Sequence, residues 1–210
     1  MDVASLTRHF ETEKASAILR ADHQNTAARA MDAAVRGGFR IIEFTLSTPG
    51  AFELIEEFSN RGNLVVGAGT VLDTEQARRA VDAGAQYLVS PVLDLEVISA
   101  ARDMGVASMP GTHTATEMYQ AHQAGATFCK LFPAPANGWA YVKSMLAPLP
   151  FLKIIPTNGV DHHNAGAWLD AGAFGLGFVA TLFEPTFLSE SRWDDIEQRA
   201  RECVAASQST

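Results

Sequence analysis

Hydrophobic and polar positions fall into alternating blocks along this chain. Short runs that are apolar throughout are each followed by a longer stretch with apolar residues at three- and four-residue spacing. The apolar runs, at 15–19, 40–44, 64–69, 86–90, 106–109, 127–133, 152–156 and 174–178, predict strands. The stretches between them predict helices over 27–36, 48–58, 74–81, 95–102, 114–121, 140–146 and 164–169. Gly37-Gly38, Gly84, Gly105, Gly125 and Gly172 stand where these helices must stop. Asn25 or Thr26, Thr48 before Pro49, and Thr114 or Thr116 are the expected helix starts. A helix over 2–13, with Leu6 and Phe10 on one stripe, precedes the first run. An amphipathic helix over 193–205 closes the chain, and Gln208-Ser209-Thr210 is expected to fray.

Strands that are apolar on both faces belong to a parallel sheet covered on both sides. About eight strand–helix units with short connections, and no linker or low-complexity break, fit a (β/α)8 TIM barrel at the short end of its length range. One domain over 1–210 is expected, with an extra N-terminal helix at 1–13 and the barrel and final helix at 14–207. A doubly wound open sheet is the alternative, weakened because no Gly-x-Gly-x-x-Gly turn follows the first run.

Composition narrows the function. With 210 residues, 47% hydrophobic and 19% charged, the chain can bury one sizeable core. The net charge is −8, and no Lys/Arg cluster resembles a nucleic-acid footprint. No apolar run is long enough to span a membrane. Residues 1–14 mix charges with single apolar residues, unlike a signal peptide. Cys129 and Cys203 suggest neither a disulfide framework nor a metal site, and a cytoplasmic location follows as the default. The histidines form no metal set: His162-His163 read as exposed helix-start residues, and His113 as a neighbour of the site.

Lys130 stands in the middle of the run Phe128-Cys129-Lys130-Leu131-Phe132. A buried lysine loses its charge more easily and becomes a nucleophile able to form a Schiff base with a carbonyl. Glu43, in Ile41-Ile42-Glu43-Phe44, is a second ionisable group inside an apolar strand. Facing one interior, the two would pair and shift each other's pKa, and Glu43 suits the base that an imine mechanism needs. In a barrel the site lies at the C-terminal ends of the strands. Arg20, Thr70, Ser90-Pro91, Thr157-Asn158-Gly159 and Gly177-Phe178 stand there. Arg20 could grip a carboxylate. Thr70 follows Gly67-Ala68-Gly69, where substrate could approach backbone closely. The glycine turns could offer N–H groups to a phosphate.

Several runs together resemble one family in order and spacing. They are Ile42-Glu43-Phe44-Thr45-Leu46-Ser47-Thr48-Pro49, Val66-Gly67-Ala68-Gly69-Thr70-Val71-Leu72, Val89-Ser90-Pro91, Pro110-Gly111 with Thr114 and Thr116-Glu117, and Lys130-Leu131-Phe132-Pro133-Ala134. The chain resembles the class I 2-keto-3-deoxy-6-phosphogluconate aldolases, a family that includes 4-hydroxy-2-oxoglutarate and 2-keto-3-deoxy-6-phosphogalactonate aldolases. The resemblance implies a TIM barrel, usually a homotrimer, that cleaves a 2-keto-4-hydroxy acid to pyruvate and an aldehyde without metal or organic cofactor. By position Lys130 resembles the Schiff-base lysine, Glu43 the acid/base and Thr70 the residue at the pyruvyl end. Pro91 and Phe132 resemble pocket walls, and Arg20 the substrate-binding arginine of the phosphogalactonate branch.

Three positions depart from that pattern. Ser47 stands where the phosphogluconate branch has arginine, and Asn158-Gly159 stands for two adjacent glycines. Gly177-Phe178 stands for Gly-Ser, whose serine helps hold phosphate. A phenylalanine gives phosphate no hydrogen bond, so this chain is expected to favour an unphosphorylated keto acid such as 4-hydroxy-2-oxoglutarate. The readings set against aldol cleavage are an oxo-acid decarboxylase on the same lysine, a catalytically impaired binding barrel and a sugar-phosphate epimerase.

Overall fold

The computed structural model describes residues 1–135 and 138–208. Strands and helices alternate: α1 Val3–Glu13, β1 Ala15–Leu19, α2 Gln24–Arg36, β2 Ile41–Thr45, α3 Ala51–Ser59, β3 Val65–Gly69, α4 Thr74–Asp82, β4 Tyr87–Val89 and α5 Leu95–Asp103. The pattern continues with β5 Ala107–Met109, β6 Gly111–Thr112, α6 Ala115–Gln123, β7 Cys129–Leu131, α7 Gly138–Leu146, β8 Ile154–Pro156, α8 Ala165–Asp170, β9 Leu176–Phe178, α9 Pro185–Ser189 and α10 Trp193–Gln208. All strand pairs are parallel.

The sheet is curled. Six strands run in the order β5-β4-β3-β2-β1-β9, and three in the order β6-β7-β8. Pro110 lies between β5 and β6 and has no N–H to give a ladder, so the strand is interrupted there. Its carbonyl still accepts from Lys130 N at 3.0 Å. At the other side a bridge between Thr157 and Gly177 joins the end of β8 to β9.

Side chains alternate between two apolar clusters, which is why the strands read as apolar throughout. Ala17, Leu19, Ile42, Phe44, Leu88, Leu131, Ile154 and Leu176 pack outward against the helices. Ile41, Val65, Tyr87, Met109, Phe128 and Ile155 pack inward together, and α1 adds Leu6 and Phe10 to them. The Phe10 ring meets Tyr87 edge-on at 5.4 Å and Phe128 at 4.8 Å. The helix thus stops the interior at the end from which the strands start, and Lys130 and Glu43 lie farther along β7 and β2.

Four helices start with a side-chain cap. Asp2, Asp73 and Asp94 each accept backbone N–H groups of the first turn of α1, α4 and α5. Thr114 and Glu117 form a capping box on α6. Two starts differ from expectation. The second helix begins earlier, with His23 and not Asn25 or Thr26 before it, and no side chain caps it. The third begins at Ala51 after Gly50, whose φ of 72° ends the turn made by Thr48-Pro49. Helix α9 was not foreseen: five residues opening on a proline are too short to show periodicity. Gln208, expected to fray, is instead the last residue of α10, which runs beyond the expected 193–205; Ser209-Thr210, expected to fray with it, lie outside the described residues. Among the described residues no helix is long and apolar enough to cross a membrane.

Because Phe10 joins α1 to the inner cluster, Phe10→Ala is expected to lower the unfolding free energy by about 3–5 kcal/mol. Urea unfolding would show this as a lower midpoint at unchanged slope. A midpoint within error of the parent would mean that α1 does not stabilise the interior.

Candidate functional site

Strand parity delivers Lys130 to the interior. Cys129 and Leu131 turn outward into the helix-side cluster, so Lys130 between them points inward and is only 7% exposed. Its Nζ lies 5.2 Å from the centre of the Phe132 ring. On β2, Ile42 and Phe44 likewise turn outward, leaving Glu43 inward and 1% exposed.

Glycine makes room for that carboxylate. A Cβ on Gly69, across the β2–β3 pair, would stand 2.0 Å from Glu43 Oε1. Tyr87 lies over the neighbouring inward glycine, Gly67, where a Cβ would stand 2.2 Å from its ring. The Tyr87 hydroxyl donates to the Ile42 carbonyl at 3.0 Å, and Glu43 Oε1 is buried without a hydrogen-bond partner.

Burial dominates the electrostatics. It pushes the Glu43 carboxyl above the usual carboxylate range, against the pull of the Lys130 and Arg20 charges. It pushes the Lys130 ammonium below the usual lysine range; the Glu43 charge opposes this and Arg20 reinforces it. The two groups therefore feel each other, as expected, but among the described residues they form no direct ion pair. Each is held nearer its neutral form than it would be in water.

Thr70 caps β3 with φ of 60°, a conformation that costs a β-branched residue about 1–3 kcal/mol. Its Oγ1 accepts a long hydrogen bond, 3.4 Å, from Nη2 of the exposed Arg20. That bond stands between two hollows. One, of about 300 Å³, includes Ser47 and Thr70 in its lining; the other, of about 650 Å³, includes Ile18 and Arg20. Pro91 is half-buried after β4, its carbonyl against Gly111, where a Cβ would stand 2.2 Å away.

Thr157 follows β8, is buried, and its Oγ1 has no hydrogen-bond partner. It bridges to Gly177, where a Cβ would stand 2.6 Å from Thr157 Oγ1 and 2.8 Å from Ile18 Cδ1. Asn158 and Gly159, at φ of 68° and 96°, form an exposed turn, and Asn164 Nδ2 donates to the Gly159 carbonyl at 2.9 Å.

One sequence expectation is corrected here. Phe178 does not crowd the site. Gly177 points inward, so the next residue on the strand points outward. Phe178 is fully buried in the helix-side cluster, 5.9 Å from the Phe39 ring. Its presence in place of serine therefore says nothing against a phosphorylated substrate. His162 is also less isolated than expected: its Nε2 lies 3.7 Å from Glu202 Oε2 of α10. His113 is exposed and stacks on Tyr141 at 6.0 Å. Among the described residues no cluster of His, Cys, Asp and Glu could hold a metal. Sequence reasoning missed Tyr87, whose ring stands against Gly67 beside Glu43; nothing in the run Gln86-Tyr87-Leu88-Val89-Ser90 says which of its residues face inward.

The family model described as KDPG and KHG aldolase matches residues 7–199. The chain is 34% identical over 172 residues to the 2-dehydro-3-deoxy-6-phosphogalactonate aldolase of Escherichia coli strain K12, covering 80% of this chain and 83% of that one. It is 31% identical over 175 residues to the 2-dehydro-3-deoxy-phosphogluconate aldolase of Pseudomonas aeruginosa, covering 82% and 80%. Among solved structures, a native KDPGal structure superposes with a TM-score of 0.84 at 32% identity, over 91% of this chain and 93% of that one. The KDPG aldolase of Legionella pneumophila, with pyruvate captured as a covalent carbinolamine, gives 0.84 at 25% identity over 96% and 97%.

Two desolvated ionisable groups are costly to the fold. Replacing both by apolar side chains of similar size, as Lys130→Met with Glu43→Leu, is expected to raise the unfolding free energy by about 1–4 kcal/mol. Urea unfolding at neutral pH reads this directly, and a less stable double variant would show that the pair stabilises the folded chain.

Proposed function

We propose, for a chain that belongs to the KDPG and KHG aldolase family, that Lys130 and Glu43 carry its chemistry as nucleophile and acid/base. The observation that carries this reading is the burial of both side chains, side by side in charge though not in contact, inside one parallel sheet. The chain is a carbon–carbon lyase of the class I aldolase type, cleaving to pyruvate plus an aldehyde.

The wall is read as a (β/α)8 TIM barrel, with β5 and β6 as one strand interrupted at Pro110 and closure through Thr157 and Gly177. One domain over 1–210 with an added N-terminal helix completes that reading.

The neutral Lys130 amine attacks the C2 ketone of a 2-keto-4-hydroxy acid. Loss of water from the carbinolamine gives an imine. Glu43 removes the C4 hydroxyl proton, the C3–C4 bond breaks, and its electron pair moves into the imine to give an enamine. The aldehyde leaves. Protonation at C3 and addition of water then free pyruvate and regenerate the amine. The covalent imine needs no external cofactor. Desolvation serves both roles: it leaves more of the amine unprotonated and makes the carboxylate a stronger base.

Arg20 and Thr70 bind the carboxylate of the keto acid, and Phe132 and Pro91 wall the pyruvyl end. Thr157 Oγ1 and Glu43 Oε1, both without protein partners, face the substrate hydroxyl or a water beside it. Gly159 and Gly177 shape the outer pocket; Phe178 supports it from behind. Relatives act on phosphorylated sugar acids, and the substrate class here is a 2-keto-3-deoxy sugar acid or 4-hydroxy-2-oxoglutarate. A homotrimer in the cytoplasm, with Cys129 and Cys203 as buried free thiols, accords with this reading.

Borohydride with pyruvate, followed by peptide mapping, should place a reduced adduct on Lys130. Lys130→Ala should abolish turnover, and full activity in that variant would sink the mechanism. Glu43→Gln should lower kcat by on the order of 10²–10⁴. The pH dependence has a definite sign. The Glu43 charge raises the Lys130 pKa, so Glu43→Gln lets the free amine appear at lower pH. The alkaline rise of pyruvate imine formation should therefore move down in this variant. A rise that moves up would mean that Glu43 does not act on Lys130 through its charge.

A further inference from the structure

The smaller hollow, of about 300 Å³, lies beside Thr70. It meets the site at the carboxylate end of the keto acid, not at the reacting carbons. Thr70 lines one side of it and Ser47 another. Ser47 is tied to the inner face of the sheet. Its hydroxyl lies 3.1 Å from that of Thr45, which is buried and pairs in register with Gly69. Thr45 follows Glu43 at the strand period of two and so turns inward with it. Gln76 Oε1 accepts from Leu72 N at 3.0 Å and ties the loop after β3 to α4.

Arg79, on α4, is the one cation in this lining among the described residues, and no acidic side chain lines the hollow with it. Its guanidinium lies over the Phe52 ring, 4.2 Å from the centre. An aromatic ring takes the face of a guanidinium and leaves the N–H groups around its edge to other partners. Among the described residues no carboxylate stands within ion-pair distance of Arg79, although Glu75 is four residues earlier on the same helix. A planar cation fixed by its face, with its donors unspent beside a hollow, suits an anion.

Arg20 alone gives a carboxylate a loose hold. It is exposed, and its bond to Thr70 Oγ1 is long at 3.4 Å. It comes to Thr70 from the side of the larger hollow, whereas Arg79 lines the smaller one. A carboxylate at Thr70 has two oxygens and can meet a guanidinium on each side.

We propose that Arg79 is a second substrate-binding arginine: with Ser47 and Thr70 it takes the keto-acid carboxylate on the side away from Arg20, and so selects 2-oxo acids over uncharged ketones. The inference rests on the aldolase reading and adds to it a residue that holds the substrate from outside the strands.

Lys130 itself reports on this. The intact protein is given pyruvate or methyl pyruvate with cyanoborohydride, and the initial rate of adduct formation on Lys130 is measured at low ketone concentration. The two ketones share the reacting carbonyl and differ in the charge at C1. Arg79→Ala should lower the rate with pyruvate on the order of tenfold and leave the rate with methyl pyruvate nearly unchanged. Arg79→Lys should recover part of the loss, because an ammonium keeps the charge but not the two-pronged edge. Alanine suits an exposed helix position, so the variant is expected to fold. A loss shared equally by the two ketones, or no loss with pyruvate, overturns the inference and leaves Arg79 as a surface cation stacked on Phe52. Failure of the parent reading looks different: the wild-type protein forms no adduct on Lys130 with either ketone.

Discussion

Desolvation of one amine and one carboxyl inside a single parallel sheet is the constraint on which the site depends. Water would hold Lys130 as an ammonium and Glu43 as a well-solvated carboxylate of little basicity. Burial moves both toward neutrality. The sheet can do this because its strands are covered on both faces, and the alternation of side chains separates an inner from an outer cluster. The inner cluster sits under the site, with α1 beneath it. Gly69 gives the carboxylate its space, and Tyr87 spends its hydroxyl on the Ile42 carbonyl.

Two of the four non-glycine residues with positive φ among the described residues lie at the same mouth; the others are Lys14, at the end of α1, and Ser191, after α9. Thr70 and Asn158 both adopt positive φ without being glycine, one after β3 and the other after β8. Residues in such conformations persist only where their surroundings hold them, and they gather at functional sites. Thr70 is held by the long Arg20 bond, and the turn at Asn158-Gly159 by Asn164.

Much of this was legible in the sequence. The apolar runs located every strand but β6, since a two-sided parallel sheet leaves no polar face to blur them; β6, two residues after Pro110, is too short and too polar to show as a run. Lys130 and Glu43 stood out because each interrupts such a run, and the family resemblance rested on the loops around them. What sequence could not supply was direction. Phe178 occupies the position of a phosphate-binding serine, yet its side chain packs against Phe39 on the far face. The period of two decides this, and it can be counted only once a neighbour's orientation is known. Helix α9 was hidden by its length, and the contact of His162 with Glu202 joins residues too far apart in the chain to be paired from sequence.

The interruption at Pro110 has a mechanical consequence. With the junction of Thr157 and Gly177 it divides the wall into two panels. The larger panel carries Arg20, Glu43 and Thr70; the smaller carries Lys130, with Phe132 and Thr157 at its strand ends. The two are still tied: Phe128 N to Ser108 O, Lys130 N to Pro110 O and Phe132 N to Thr112 O carry the bonding past Pro110, and Phe174 N to Ile154 O joins the other side. Amine and carboxylate thus belong to different panels, so the gap between them is set by how the panels meet and not by the register of any single pair of strands.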